Sequence, residues 1–152
     1  MPHNQLVHIL IADDDLDDCF LILEALRESQ VNNEVHFVHN GEELMDYLKR
    51  RRPYTDAGRH PLPGLILLDL NMPLKDGREA LAEIKGDHQL RSIPVLILST
   101  SAEEEDILFC YDQGVNSFIS KPQSYSGLLE VIQVLGHYWL NVATLPAECR
   151  KP

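Results

Sequence analysis

The sequence predicts a doubly wound α/β domain, in which a five-stranded parallel sheet is covered by helices on both faces. Five short apolar runs recur along the chain, and each is followed by a helical segment. Three of the runs, HILIA, LILL and VLIL, are almost continuously apolar. Such runs are typical of strands that are buried on both faces of a parallel sheet. Strands that alternate with helices favour an open α/β sheet.

The predicted strands occupy residues 6–12, 34–38, 64–68, 94–98 and 116–119. Apolar residues at helical spacing predict helices between and after them, at Leu16, Cys19, Phe20, Leu23 and Leu26, at Leu44, Tyr47 and Leu48, at Ala80, Leu81 and Ile84, and at Leu128, Ile132, Leu135 and Trp139. Because crossovers between parallel strands are right-handed, few strand orders are possible, and we expect 2-1-3-4-5. The expected architecture has three layers, α/β/α.

The length of the chain, 152 residues, fits one domain. We expect this domain to cover residues 1–140 and to be followed by a C-terminal tail, residues 141–152. This tail is too short for a second domain, so no output domain is expected. Residues 51–63, which include three prolines and Gly58, predict a surface loop before the third strand.

Charge and composition argue against several classes of protein. The chain has 13 Lys and Arg against 24 Asp and Glu, a net charge of −11, which makes a nucleic-acid partner unexpected. No apolar run approaches the roughly 20 residues that span a bilayer, and residues 1–10 do not resemble a signal peptide. The cysteines, Cys19, Cys110 and Cys149, are odd in number and widely spaced. They predict reduced thiols and a cytoplasmic location.

Polar residues follow four of the five predicted strands. Asp13 and Asp14 come after the first strand, Asp69 after the third, Ser99 after the fourth and Lys121 after the fifth. In open α/β sheets, ligands bind beyond the carboxyl ends of the strands. Each residue alone has a simple structural explanation, as a helix cap or a solvated side chain. These explanations do not account for their joint position at one edge of the sheet.

The combination predicts a phosphoryl-transfer site. Carboxylates gathered at one point repel each other unless a cation compensates them. An all-oxygen site with few protein ligands suits Mg²⁺, which phosphate oxygens can complete. Lys121 would supply a second cation, and Asp carboxylates are known nucleophiles for phosphoryl groups. The neighbouring acids Asp15, Asp17 and Asp18 are instead interpreted as the N-cap and first turn of a helix.

Histidines are not expected to form a metal site. The seven histidines include no H-x-x-x-H pattern. His36 and His39 lie three residues apart in a predicted strand, so their side chains should point to opposite faces of the sheet. Both are interpreted as solvated side chains and not as ligands.

Three other kinds of site are alternatives to the phosphoryl-transfer site, and each departs from this sequence in at least one feature. Acids at 13, 15, 17 and 24 match the spacing of an EF-hand, but Asp18 stands where that loop has Gly and a strand precedes it. A phosphatase of the haloacid dehalogenase type would carry a second Asp at the position of Asn71. A flavodoxin-type nucleotide site needs a Gly-, Ser- or Thr-rich loop after the first strand, where this chain has three aspartates.

About residues 6–138 resemble the receiver domain of two-component response regulators. The motifs that carry the resemblance are the pair Asp13-Asp14, LLDLNMP with Asp69, the K-D-G turn at 75–77, LST with Ser99, and SKP with Lys121 and Pro122. The resemblance implies a flavodoxin-like sheet of order 2-1-3-4-5. It also implies that the chain accepts a phosphoryl group from a sensor histidine kinase and passes the signal on through protein contacts.

The resemblance implies a role for each of these residues. Asp69 would accept the phosphoryl group from a phosphohistidine, and Lys121 would contact it. Mg²⁺ would be bound by Asp14, by Asp69 and by the backbone carbonyl of Asn71, with Asp13 acting mostly through water. A cis peptide bond would precede Pro122.

The resemblance also implies a conformational switch. Ser99 would move towards the phosphoryl oxygen, and Phe118 would turn inward behind it as a packing switch without a hydroxyl group. Thr100, which is often Ala in the family, would restrict access to the site. The 51–63 loop and the HYWLNVATLP tail are similar to those of small regulators paired with phytochrome-type histidine kinases.

Two further expectations concern how the chain acts. We expect no enzymatic activity beyond assisting its own phosphorylation and dephosphorylation; the alternative is an interaction module of the same fold that works without phosphorylation. We also expect a homodimer through the fourth and fifth helices. Residues 107–111 are apolar around the helix axis, and Val131, Val134 and Tyr138 form a stripe on a second face of the last helix. The alternative is that the tail, through Val142 and Leu145, covers this surface.

Overall fold

The computed structural model describes residues 7–149. The sheet consists of β1 (Ile9–Ala12), β2 (Val35–Val38), β3 (Leu65–Leu68), β4 (Val95–Ser99) and β5 (Ser117–Ser120). All neighbouring strands are parallel, in the order β2-β1-β3-β4-β5. The predicted fold class and strand order are therefore confirmed. Residue 6, at the start of the first predicted strand, lies outside the described residues, as do residues 1–5 and 150–152.

Each strand is followed by a helix. The helices are α1 (Leu16–Glu28), α2 (Gly41–Leu48), α3 (Gly77–Gly86), α4 (Glu104–Gln113), α5 (Tyr125–Gly136), a π-helical segment (His137–Val142) and α6 (Pro146–Cys149). Side-chain N-caps at Asp15, Asn40, Asp76 and Ser124 begin four of them by accepting backbone N–H groups. Asp15 thus has the capping role predicted from the sequence.

The sheet separates two apolar cores, one under α2, α3 and α4 and the other under α1 and α5. Every residue of β1, β3 and β4 is buried, because these strands have a neighbouring strand on each side and helices on both faces. The edge strands β2 and β5 are only partly buried. This difference explains why the three almost continuously apolar runs are the three central strands.

The chain after α5 folds back onto the α1 and α5 side of the sheet. Leu140 and Leu145 are buried in that core, whereas Val142 is exposed. Val134 on α5 and Tyr138 on the π-helical segment remain exposed. The tail therefore packs on the core and does not cover the stripe on the second face of α5.

Within residues 7–149, no helix combines the length and the apolar character that crossing a bilayer requires.

Candidate functional site

The parallel register brings Asp13 and Asp69 side by side at the carboxyl edge of the sheet. Ala12, the last residue of β1, pairs with Leu68, the last residue of β3. The backbone N–H of Asp69 donates to the carbonyl of Ala12 at 2.9 Å. Both aspartates are buried, and Asp14 is exposed next to them. Carboxylate oxygens of Asp13, Asp14 and Asp69 lie within 4.8 Å of one another.

Lys121 joins this cluster from β5. Its backbone N–H donates to the carbonyl of Ser99 at 2.7 Å, which fixes the chain just after the strand. Its Nζ lies 2.7 Å from Asp13 Oδ2, 2.8 Å from Asp18 Oδ2 and 3.7 Å from Asp69 Oδ2. The resting ammonium is therefore held mainly by Asp13 and Asp18.

Asp18 was missed as a site residue by the sequence analysis, which assigned it only to the first turn of α1. It lies three residues after the N-cap Asp15, and its Oδ2 accepts a hydrogen bond from Lys121 Nζ. The spacing from Asp15 could have indicated that it faces the site, but nothing in the sequence indicates which lysine it meets.

Electrostatics of the cluster favour a bound cation. Burial raises the pKa of Asp13 above its ordinary value, although a hydrogen bond from Lys121 partly offsets this effect. Burial alone would lower the pKa of Lys121, but hydrogen bonds to Asp13 and Asp18 hold it above its usual value. One ammonium thus faces four carboxylates, those of Asp13, Asp14, Asp18 and Asp69. An all-oxygen donor set with this excess of negative charge fits a hard divalent cation.

The loop after β3 is held close to the site by two glycines. A Cβ atom on Gly77 would collide with the carbonyl oxygen of Asp69, and one on Gly41 would collide with the carbonyl oxygen of Lys75. The N–H groups of these glycines instead donate to Leu70 O and Lys75 O, each at 2.8 Å. Asn71 lies exposed at the start of this loop, and its N–H donates to Asp69 Oδ1 at 3.4 Å.

Ser99 and Phe118 occupy neighbouring strands behind the cluster. Ser99 is fully buried, and its Oγ accepts the N–H of Ser101 at 3.3 Å, whereas Thr100 is exposed. Phe118 is half-buried against the core under α2, α3 and α4. Its backbone N–H donates to the hydroxyl of Tyr111 at 3.1 Å, which satisfies a donor on the edge strand β5.

A second group of polar contacts holds the loop between β4 and α4. Arg78 Nε and Nη2 donate to the two carboxylate oxygens of Asp106, both at 2.6 Å, and Ser101 Oγ donates to Asp106 Oδ2 at 2.6 Å. The bonds from Arg78 and Ser101 lower the pKa of Asp106 to about 2. This clamp ties the start of α3 to the start of α4, directly after Ser99. No sequence pattern identified it, because Arg78 and Asp106 lie in different helices.

One expectation drawn from the resemblance is wrong. Among residues 7–149 the one cis peptide bond joins Arg52 to Pro53, so the bond between Lys121 and Pro122 is trans. The trans isomer is the lower in free energy for most X–Pro bonds. Lys121 reaches Asp13 and Asp18 from this backbone geometry.

Comparison with protein families and curated proteins finds similarity over most of the chain. Residues 9–133 match the model of the response regulator receiver domain. Response regulator Rcp1 of Synechocystis sp. is 39% identical over 139 residues, which cover 91% of this chain and 92% of Rcp1.

Solved structures show the same similarity in three dimensions. The crystal structure of the phosphorylated cyanobacterial phytochrome response regulator RcpA superposes with a TM-score of 0.87 at 46% identity, covering 93% of this chain and 99% of RcpA. The Mn²⁺-bound form of response regulator Rcp1 gives a TM-score of 0.85 at 38% identity, covering 92% of this chain and 99% of Rcp1.

Proposed function

Because this chain belongs to the response regulator receiver family and acts as a phosphoacceptor in two-component signalling, we propose that Asp69 is the residue that carries the phosphoryl group. The observation that carries the assignment is the position of Asp69 at the end of the central strand β3, beside Asp13 and within 3.7 Å of Lys121 Nζ. Of the clustered carboxylates, it is the one flanked by both the acidic pair and the lysine.

The proposed reaction is a transfer from a phosphohistidine to Asp69. The N–P bond of the phosphohistidine breaks while a bond forms between an Asp69 carboxylate oxygen and phosphorus, and the histidine keeps the electron pair of the broken bond. The phosphoryl oxygens gain no proton in this step. Positioning and cations that balance the equatorial oxygens supply most of the rate enhancement in such transfers.

We assign Mg²⁺ to the carboxylate cluster. Asp14, Asp69 and the backbone carbonyl of Asn71 would hold it, with Asp13 acting mostly through water. When bound, the ion supplies positive charge to the transferring phosphoryl group. The all-oxygen donor set supports this choice, and the Mn²⁺-bound structure of Rcp1 supports a divalent ion of similar preference in this family.

The switch would start from Lys121 and Ser99. Lys121 would leave Asp18 for a phosphoryl oxygen, and the Ser99 hydroxyl would exchange the N–H of Ser101 for the same group. Phe118 would then move further into the space behind Ser99. Ser99 is followed by the loop that Arg78 and Asp106 hold, so a movement there would reach α4.

The proposed phosphodonor is a sensor histidine kinase. More specifically, we propose a histidine kinase of the phytochrome type. Similarity to RcpA, a phytochrome response regulator, supports it. We further propose a cytoplasmic location, which the three free cysteines support. The net charge of −11 supports a protein without a nucleic-acid partner. Residues 1–140 would form the receiver domain, and residues 141–152 would form a C-terminal tail. The protein would have no enzymatic activity beyond assisting its own phosphorylation and dephosphorylation. The family membership does not favour the phosphorylation-independent alternative.

We also propose a homodimer through α4 and α5. Large apolar or aromatic side chains remain exposed on these two helices and on the π-helical segment that continues α5: Leu108, Tyr111, Val134 and Tyr138. Of the two tail residues that could have covered them, Leu145 is buried in the core and Val142 is exposed. An exposed apolar surface of this kind favours a protein partner, and a second copy is the partner proposed here.

The phosphoacceptor is tested by intact mass after incubation with acetyl phosphate and Mg²⁺. The native chain should gain one phosphoryl group, and Asp69→Asn should gain none. Asp17→Asn, which removes an exposed carboxylate from the first turn of α1, is the matched control and should be phosphorylated as the native chain is. Uptake by Asp69→Asn equal to native uptake would overturn the assignment, and uptake undiminished by a chelator would overturn the role of Mg²⁺.

A further inference from the structure

A second cluster of metal-ligating side chains lies at the opposite end of the sheet from Asp69. His8 immediately precedes β1, Glu34 precedes β2, and His36 lies within β2. The strand register pairs Ile9 with Val35, and Ile9 N–H donates to Glu34 O at 2.9 Å. His8 and Glu34 are therefore neighbours across the two strands. Glu34 and His36 share one face of β2 because side chains two residues apart point the same way.

The three side chains converge on one point. Glu34 Oε2 lies 2.7 Å from His8 Nδ1 and 3.5 Å from His36 Nε2. One ligand atom from each residue lies within 4.8 Å of the other two. The centroids of the two imidazole rings are 6.0 Å apart.

Both nitrogens lack a satisfactory hydrogen bond among the described residues. His8 Nδ1 and His36 Nε2 are shielded from solvent, and neither makes a hydrogen bond of acceptable angle, although Glu34 is close enough for an ion pair. Buried polar atoms are usually satisfied, so two such nitrogens at one point require an explanation. A metal ion accepts electron pairs from both imidazoles and from the carboxylate, and it satisfies all three groups at once.

Neighbouring aromatic side chains pack against the ring of His36. The centroid of the His36 ring is 5.8 Å from that of Tyr47 and 6.3 Å from that of His60. Tyr47 is itself fixed by a hydrogen bond from its hydroxyl to Pro61 O at 3.0 Å. His36 is only 21% exposed, which differs from the solvated side chain expected from the sequence.

We propose that His8, Glu34 and His36 bind a transition-metal ion of the Zn²⁺ class. Two imidazoles and one carboxylate are a known zinc donor set, and three protein ligands leave a fourth position open for water or another ligand. This donor set differs from the all-oxygen cluster around Asp69, which suits Mg²⁺. Asp13 lies five positions after His8, about 16 Å along an extended strand, so the two sites are distinct. A bound ion would link the edge strand β2 to β1.

The test is a titration of tag-free protein with Zn²⁺ in saturating Mg²⁺, followed by calorimetry and by the imidazole resonances in NMR spectra. All chains carry Cys149→Ser, which removes the exposed thiol as a competing ligand. The expected result is one Zn²⁺ per chain, with shifts of the His8 and His36 resonances and a higher melting temperature. His36→Gln and Glu34→Gln should each weaken binding at least about ten-fold, since losing a ligand costs no less than losing one of its outer-shell partners.

His88→Gln is the matched control, because His88 is an exposed histidine outside the cluster. It should bind Zn²⁺ as the native chain does. The proposal is overturned if the native chain and His36→Gln bind Zn²⁺ equally, or if the shifts move residues around Asp69 and leave His8 and His36 unchanged. Absence of Zn²⁺ binding in the native chain would also overturn it and would identify the cluster as an ion pair between Glu34 and two histidines.

Discussion

Lys121 Nζ lies 2.8 Å from Asp18 Oδ2 and 3.7 Å from Asp69 Oδ2, so a carboxylate of α1 holds the lysine more closely than the proposed phosphoacceptor does. The lysine that should meet the phosphoryl group is therefore engaged elsewhere in the resting state. Phosphorylation at Asp69 has to compete with the bond between Lys121 and Asp18.

We predict that Asp18→Ala strengthens binding of beryllofluoride, a phosphoryl mimic, because Lys121 no longer has to leave Asp18. The expected gain is about three- to ten-fold, corresponding to about 1 kcal/mol for one partly exposed charge-assisted hydrogen bond. The measurement is a fluorescence or calorimetric titration with beryllofluoride in Mg²⁺. Asp17→Ala, which also removes an acid from the first turn of α1, is the control. Equal affinities for the two variants would contradict the prediction.

Stability at low pH should depend on the clamp between Arg78 and Asp106. The pKa of Asp106 is lowered from 3.8 to about 2. A carboxylate whose pKa is lowered by folding stabilises the folded state at any pH above its pKa in the unfolded chain. This contribution to the free energy of unfolding is lost as the pH falls from about 4 to about 2. After discounting for solvent screening, we expect the clamp to contribute about 1 kcal/mol to the free energy of unfolding at neutral pH.

The clamp is tested by urea unfolding of the native chain and Asp106→Asn at neutral pH and near pH 2. The free energies of unfolding should differ at neutral pH and converge as Asp106 becomes protonated. Asp112→Asn, an exposed position near the other end of α4, should show no such convergence. A difference that stays constant over this pH range would exclude the clamp as its source.

Ser99 should couple phosphorylation to Phe118. We predict that Ser99→Ala still binds beryllofluoride, since Asp69 and its neighbours are retained. The change in the amide resonance of Phe118 should then fall to less than about half of its native size, because no hydroxyl draws the end of β4 towards the phosphoryl group. The conservative variant Ser99→Thr keeps a hydroxyl and should restore the change. A full change in Ser99→Ala would show that the signal reaches β5 by another route.

Self-association should depend on the exposed face of α5. Val134 is 68% exposed, and Val134→Asp places a charge in the proposed dimer contact. Sedimentation should show dimers of the native chain and monomers of this variant, since desolvating an unpaired charge is unfavourable. Phe20→Asp is the matched control, because Phe20 is 62% exposed on α1, outside this contact. A native chain that stays monomeric with and without beryllofluoride would end the proposal.

Much of the fold followed from local pattern. The three almost continuously apolar runs became β1, β3 and β4, because a strand between two neighbours and under two helix layers has no face open to water. The positions of Asp13, Asp69 and Lys121 were predictable for a related reason. The carboxyl ends of parallel strands meet at one edge, so any residue directly after a strand lies there.

Partnerships between helices and loops required the tertiary structure. Asp18 and Lys121 lie 103 residues apart, and Arg78 and Asp106 lie 28 apart. Whether such side chains meet depends on the rotation of each helix on the sheet, and a periodic pattern specifies only which face is apolar.

The sequence by itself determined the fold class, the strand order and the edge that carries Asp13, Asp69 and Lys121. Apolar runs identify strands that are buried on both faces, and right-handed crossovers between alternating strands and helices leave few strand orders. Only the tertiary structure decided that Leu145 packs into the core while Val134 stays exposed, and that His8 and His36 converge on Glu34. These contacts depend on strand register and on the path of the chain after α5. Register and path are set by packing over the whole domain, which no single segment encodes.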